Sequence, residues 1–196
     1  MTMTLSGSGT IAGLTPGGLP DASVITSDLA DANVTPQKLT QPLTQGTAVV
    51  ATSGNAIDFT GIPSWAKRIT IMLYGISTTG ANDLIIQVGN GSIVTTGYQV
   101  QRSYISTSTA NAAGSFNFCI ATLPTGTAAD TKMAQIVLTN VTGNIWVSTS
   151  NSATINSVSG YSAGGITLSS ALDRIRLSTN SADTFDAGTI NILYEG

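Results

Sequence analysis

Lys67-Arg68-Ile69-Thr70-Ile71-Met72-Leu73-Tyr74 sets apolar side chains at every second position, Ile69, Ile71 and Leu73. A repeat of two is the geometry of a strand with one buried and one solvated face. The same grammar continues on both sides. Thr47 to Ala51 reads as a strand, Ser53-Gly54-Asn55 as a turn, and Ala56 to Phe59 as a strand that Gly61-Ile62-Pro63-Ser64 closes. Downstream, strands are predicted over 83–88, 98–105, 115–122, 132–141, 144–150, 154–159, 173–178 and 189–194. Gly, Asn, Ser and Thr clusters separate them. Gly89-Asn90-Gly91 and Thr142-Gly143-Asn144 carry residues that tolerate positive φ in tight turns. No segment shows a capped helical stripe, and Glu195 is the sole glutamate. Many short strands with short polar turns predict an all-β fold, an antiparallel β-sandwich of jelly-roll-like type.

Composition splits the chain near residue 46. Before Phe59 there is no aromatic residue, and four of the six prolines lie in the first 46 residues. Residues 1–46 therefore read as an extended N-terminal stalk or anchor, and 47–196 as the sandwich. Ile25-Thr26-Ser27-Asp28-Leu29 is echoed by Val34-Thr35-Pro36-Gln37-Lys38-Leu39. One such unit has too little apolar surface to fold alone. Three copies around an axis would bury Ile25, Leu29, Val34 and Leu39 as an oligomer core. A linker with an accidental repeat is the plainer reading of the same residues.

Of the 196 residues, 41% are apolar and only 9% charged, with a net charge of −3. Ordinary soluble domains carry roughly 25% charged residues. Hydroxyls and amides must solvate this surface, or copies of the chain must cover it. Without clustered Lys and Arg, nucleic acid is not an expected partner. No apolar run reaches the ~20 residues of a membrane-spanning helix, so no membrane insertion is expected. Met1 to Gly7 lacks the basic start and apolar run of a secretory signal, which predicts synthesis in a cytoplasm.

Catalytic chemistry finds little to work with. The absence of histidine removes Ser–His–Asp and Cys–His arrangements and His-based metal sites. Cys119 is the lone cysteine; it reads as a packed, inert thiol and allows no intrachain disulfide. No phosphate-binding loop occurs. Asp183 and Asp186 are the nearest acid pair, most simply a solvated turn before the last strand, with a weak Ca²⁺ site or a catalytic pair as sharper alternatives. No enzyme activity, cofactor or metal is expected. Trp146 alternates with its neighbours and reads as core or interface; Trp65, at a strand entrance, reads as a plug at one end of the sandwich. Tyr98, Gln99, Arg102 and Tyr104 are the candidate glycan contacts, although a structural role is the plainer reading of the same residues. Their rings can stack on sugars, while Gln99, Gln101 and Arg102 supply hydrogen bonds.

Three stretches carry a resemblance. Ile57-Asp58-Phe59-Thr60-Gly61-Ile62-Pro63-Ser64-Trp65-Ala66-Lys67-Arg68-Ile69-Thr70 and the closing Ala187-Gly188-Thr189-Ile190-Asn191-Ile192-Leu193-Tyr194-Glu195 resemble segments of tailed-phage fibre and spike proteins. The repeat at 25–39 is similar to repeats of fibre shafts. The resemblance touches both ends of the sandwich and the stalk, and leaves 71–170 without a matching motif. It implies a structural protein of the virion surface, commonly a homotrimer. The N-terminal part would bind other virion proteins, and the C-terminal domain would touch a host-cell surface, often its glycans. The short chain favours a head fibre, spike or fibre tip over a whole tail fibre. The alternative is a decoration or cement protein that stabilises the capsid.

Overall fold

The computed structural model describes residues 34, 38–106, 109–155 and 158–196, and of 111–113 the backbone alone. The chain divides after Thr40 into residues 1–40 and 41–196. Of the four stalk-core residues, Ile25 and Leu29 lie outside the described residues, while Val34 and Leu39 are exposed in the single chain.

Residues 41–196 form an antiparallel β-sandwich, and no α-helix occurs among the described residues. The strands are β1 (Thr44–Gln45), β2 (Val49–Val50), β3 (Ala56–Thr60), β4 (Arg68–Thr78), β5 (Leu84–Gly89), β6 (Gln99–Ser106) and β7 (Thr109–Phe116). They continue with β8 (Ala121–Leu123), β9 (Lys132–Thr142), β10 (Ile145–Thr154), β11 (Val158–Thr167), β12 (Arg174–Thr179) and β13 (Phe185–Glu195). The sheets are unequal. Nine strands form the larger, ordered β1-β13-β4-β9-β10-β11-β6-β7 with β2 also on β13; four form the smaller, ordered β3-β12-β5-β8. Consecutive strands repeatedly change sheet, as at β4 to β5 to β6 and at β11 to β12 to β13. The core between the sheets is thus tied from both sides.

The predicted alternation is what fills that core. Ile69, Ile71 and Leu73 are buried, in register with Ile136 and Leu138 of β9 and with Ile190 and Ile192 of β13. Ile57, Phe59, Leu84, Ile86, Val88, Ile175 and Leu177 meet them from the small sheet. Trp146 joins this cluster, and Trp65 packs at its margin, its ring 5.7 Å from that of Tyr194. Gly143, at φ 49°, turns β9 into β10 as the Thr142-Gly143-Asn144 sequence predicts.

Several expected boundaries move. Residues 41–46, placed in the stalk by composition, carry β1, whose Thr44 and Gln45 pair with Tyr194 and Leu193. Backbone pairing needs no aromatic residue, so composition gave no sign of it. The single strand expected at 115–122 is two strands in different sheets, with the chain crossing between β7 and β8. The strand expected at 154–159 is not one element: Thr154 ends β10, and Val158 and Ser159 open β11. β11 itself contains Gly160, Gly164 and Gly165, which lowered its strand signal.

Part of the inter-sheet contact is polar. Ser148 Oγ donates to the Ile120 carbonyl at 2.5 Å, Ser162 Oγ accepts from the Thr122 amide at 3.3 Å, and Ser150 and Ser162 share a hydrogen bond of 2.6 Å. These hydroxyls satisfy backbone groups of the crossing segment, which would otherwise be buried without partners.

Lys132, 1% exposed, has an ammonium with no hydrogen-bond partner among the described residues. Burial pushes its pKa below the usual lysine value of 10.5, against the upward pull of Asp130, Asp83, Asp186 and Asp183. A lower pKa in the folded state means that unfolding takes up a proton. Stability is therefore lost as pH falls from the unfolded value through the folded one. Lys132→Met is expected to raise the unfolding free energy at pH 7 by about 1–2 kcal/mol, because desolvation of the charge disappears. It should also flatten the gain that the wild type shows on the alkaline side. Urea denaturation of both proteins across pH 7–10 checks this; a destabilised variant would show that the ammonium's attraction to the carboxylates prevails.

Candidate functional site

Strand β6 divides the expected contacts between two faces. Successive side chains point opposite ways, so Tyr98, Val100, Arg102 and Tyr104 turn toward the small sheet, while Gln99, Gln101 and Ser103 turn outward. Tyr98 is therefore a core residue, although it also lines a concavity around Gln99. It is 2% exposed, and its hydroxyl accepts from the Val88 amide at 3.0 Å and donates to the Val94 carbonyl at 2.7 Å. Burial pushes the phenol up to about 12, with the Val88 hydrogen bond acting in the opposite sense.

Arg102 is also withdrawn from solvent. Its guanidinium forms an ion pair with Asp83, reaches Thr122 Oγ1 at 3.4 Å, and lies 5.4 Å and 5.0 Å from the ring centres of Tyr104 and Phe116. Tyr104 is half-buried by this stacking. Both residues offer a glycan only part of their surface. Of the four expected contacts, Gln99 alone is exposed. The signal that separates them was present in the sequence. A repeat of two cannot place Tyr98, Gln99, Arg102 and Tyr104 on one face.

Around Gln99 the structure gathers other polar groups. A concavity of about 660 Å³ is lined by residues that include Gln99, Gln101, Ser115, Asn117 and Ala163. That volume lies within the range of about 300–1,000 Å³ typical of small-ligand sites. Gln101 and Ser115 are cross-strand partners, as are Gln101 and Ala163. The floor is low because Ala163, the outward residue of β11 here, has a small side chain. Two glutamine amides, an asparagine amide and a serine hydroxyl offer both donors and acceptors, and none of them carries charge. Such a set can hydrogen-bond vicinal hydroxyls. None of these groups can serve as a nucleophile's base or as a general acid near neutral pH.

The remaining candidates are engaged in structure. Asp183 accepts from the Asn82 backbone at 3.1 Å and its side-chain amide at 2.8 Å, and Asp186 accepts from Ser77 Oγ. Asp183 thus braces the loop between β4 and β5, and Asp186 ties the start of β13 to the end of β4. Among the described residues no group of three or more acids or cysteines is placed to hold a metal ion. Cys119 is fully buried; burial raises its thiol to about 12, so it is protonated at any ordinary pH.

No protein-family model matches the sequence, and no curated protein matches it. Among solved structures, a crystal structure of a protein of unknown function from Shewanella oneidensis MR-1 aligns over 88% of this chain and 83% of that one, at 10% identity and a TM-score of 0.26. Similarity at that level carries no argument about function.

Proposed function

We propose that this chain is a structural protein of a tailed-phage virion, a trimeric fibre or spike of the head or tail that projects its β-sandwich for attachment to a host surface. The observation that carries the binding part of this reading is the uncharged concavity at Gln99, Gln101, Ser115 and Asn117, set on a stiff sheet. Amides and hydroxyls match the hydroxyl-rich surface of a glycan. Weak contacts repeated on three chains and again over the particle would multiply into firm adhesion. Residues 1–46 would hold the particle through other virion proteins. The sparse apolar positions Ile25, Leu29, Val34 and Leu39 would gain burial by packing on their mates. The work is binding, not turnover: the chain lacks histidine, and its closest acid pair is occupied by hydrogen bonds.

A second reading, a capsid cement protein, is favoured by the apolar side chains exposed on the large sheet, which could be covered by capsid subunits. Cryo-EM of the particle separates the two. A fibre projects from a vertex or the tail, whereas a cement protein lies across capsomer boundaries. In adsorption assays, particles carrying Gln99→Ala/Gln101→Ala are expected to bind host cells at least tenfold less well. Undiminished adsorption would remove the concavity from the attachment role, and absence of the chain from purified particles would sink the virion reading altogether.

A further inference from the structure

The two outer faces of the sandwich differ in chemistry. On the small sheet, Asp58 of β3 and Arg176 of β12 are cross-strand partners joined by hydrogen bonds of 2.7 and 2.6 Å, and Arg174 lies two residues before Arg176. Charges of this kind keep a sheet face in water. The large sheet has none at its centre. Along β9, β10, β11 and β6, no outward residue is charged. Surface charges lie at the ends of this sheet: Arg68 and Glu195, a 3.4 Å pair at one end of β4 and β13, and Asp186, exposed at the start of β13.

Apolar exposure is concentrated on the same face. Among the described residues of 41–196, eight of the ten exposed large apolar side chains point outward from the large sheet, and none comes from a strand of the small one. Tyr74 is 75% exposed, Val50 65% and Tyr161 52%; Met133 and Val147 lie between them on β9 and β10. The register places Val50, Thr189 and Tyr74 in one row, and Met133, Ala153, Ser159 and Ile105 in another; between Tyr74 and β9 the register shifts. Size fits as well. Seven long strands about 4.8 Å apart, each some ten residues at about 3.3 Å, offer about 1,000 Å². One side of a stable protein interface takes about 800 Å².

We infer that the outer face of the large sheet, centred on β10, is covered by a second copy of this chain. This rests on the proposed oligomeric reading and gives it a surface. A copy is the occupant that the chemistry favours, because the face has no charge to complement a foreign partner and its own residues are self-compatible. The concavity at Gln99 and Gln101 lies on the same face, toward its β6–β7 edge.

The test uses the full chain. Thr149→Glu/Asn151→Glu puts two carboxylates on the centre of β10, and Thr60→Glu on β3 is the control. Sedimentation gives the mass, and hydroxyl-radical footprinting reads Tyr74, Met133 and Tyr161. In the wild type and the control, these three are expected to react at least fivefold more slowly than in the double variant. Equal, fast reaction in wild type and variant, at a mass near three chains, would overturn the inference and leave the trimer standing. Protection that persists in the variant also overturns it, since a copy cannot lie over buried glutamates. A monomeric wild type would overturn both the surface and the trimer.

Discussion

Arg102→Met is expected to lower the unfolding free energy by about 3–5 kcal/mol, the usual consequence of removing one partner from a buried ion pair. The sequence presents Arg102 as a hydrogen-bond donor beside two tyrosines, well suited to a sugar. In the fold the same residue is a strut between sheets. Its side chain is 11% exposed and that of Asp83 18%, so either charge would be poorly solvated once the other is gone. Asp83 is further fixed by the Thr125 amide at 3.0 Å, which ties the ion pair to the loop after β8. Methionine keeps the stem and a polarisable end between Phe116 and Tyr104, but leaves Asp83 as an unpaired buried carboxylate.

The size of the effect separates the two roles. A surface arginine used for recognition could be replaced with a change in stability within about 0.5 kcal/mol and a loss of binding. A strut behaves in the opposite way, losing stability first. Arg102→Met/Asp83→Asn should recover much of the loss, because no uncompensated charge remains. Urea denaturation of the three proteins measures this. A single variant within 0.5 kcal/mol of wild type would return Arg102 to the surface role that its sequence neighbours suggest.

How much of this was legible beforehand varies with physical cause. Strands whose burial rests on side chains were plain: Ile69, Ile71 and Leu73 announce β4, and the end of β13 reads equally well from Ile190 and Ile192. Elements held by backbone groups were not. β1 is two residues, Thr44 and Gln45, recruited by the free edge of β13, and nothing in their side chains predicts it. The crossing from β7 to β8 was hidden because Ser115 to Thr122, with Phe116 and Phe118 alternating about Asn117, reads as one strand. Its separation into two sheets depends on hydroxyls from β10 and β11 that lie far away in sequence. The candidate site was half visible. Gln99 was found by residue type, whereas Asn117 and Ser115 reach it only through the pairing of β7 with β6.

The least legible strand, β11, carries the second large prediction. Gly164→Val is expected to destabilise the fold by about 3 kcal/mol or more, at the upper end of overpacking effects. Glycine is poor in a strand on entropic grounds, and its presence there usually marks a close approach of another backbone. A Cβ at 164 would lie 2.4 Å from Val100 Cγ2 and 2.6 Å from the Ile120 carbonyl oxygen. Val100 can rotate away; Ile120 cannot. Its amide donates to the Ile86 carbonyl at 2.8 Å and its carbonyl accepts from Ser148. The crossing segment is thus held from both sheets at the level of residue 164. Relief would break one of those bonds and lift β8 from β10 and β11. Gly114→Val in β7 is the matched control, since a Cβ there meets no atom within 4 Å. The control should unfold within about 0.5 kcal/mol of wild type. Coincident urea midpoints for the two variants would mean that the segment yields freely. The serine contacts would then be consequences of packing, and the two sheets would owe their spacing to the apolar core alone.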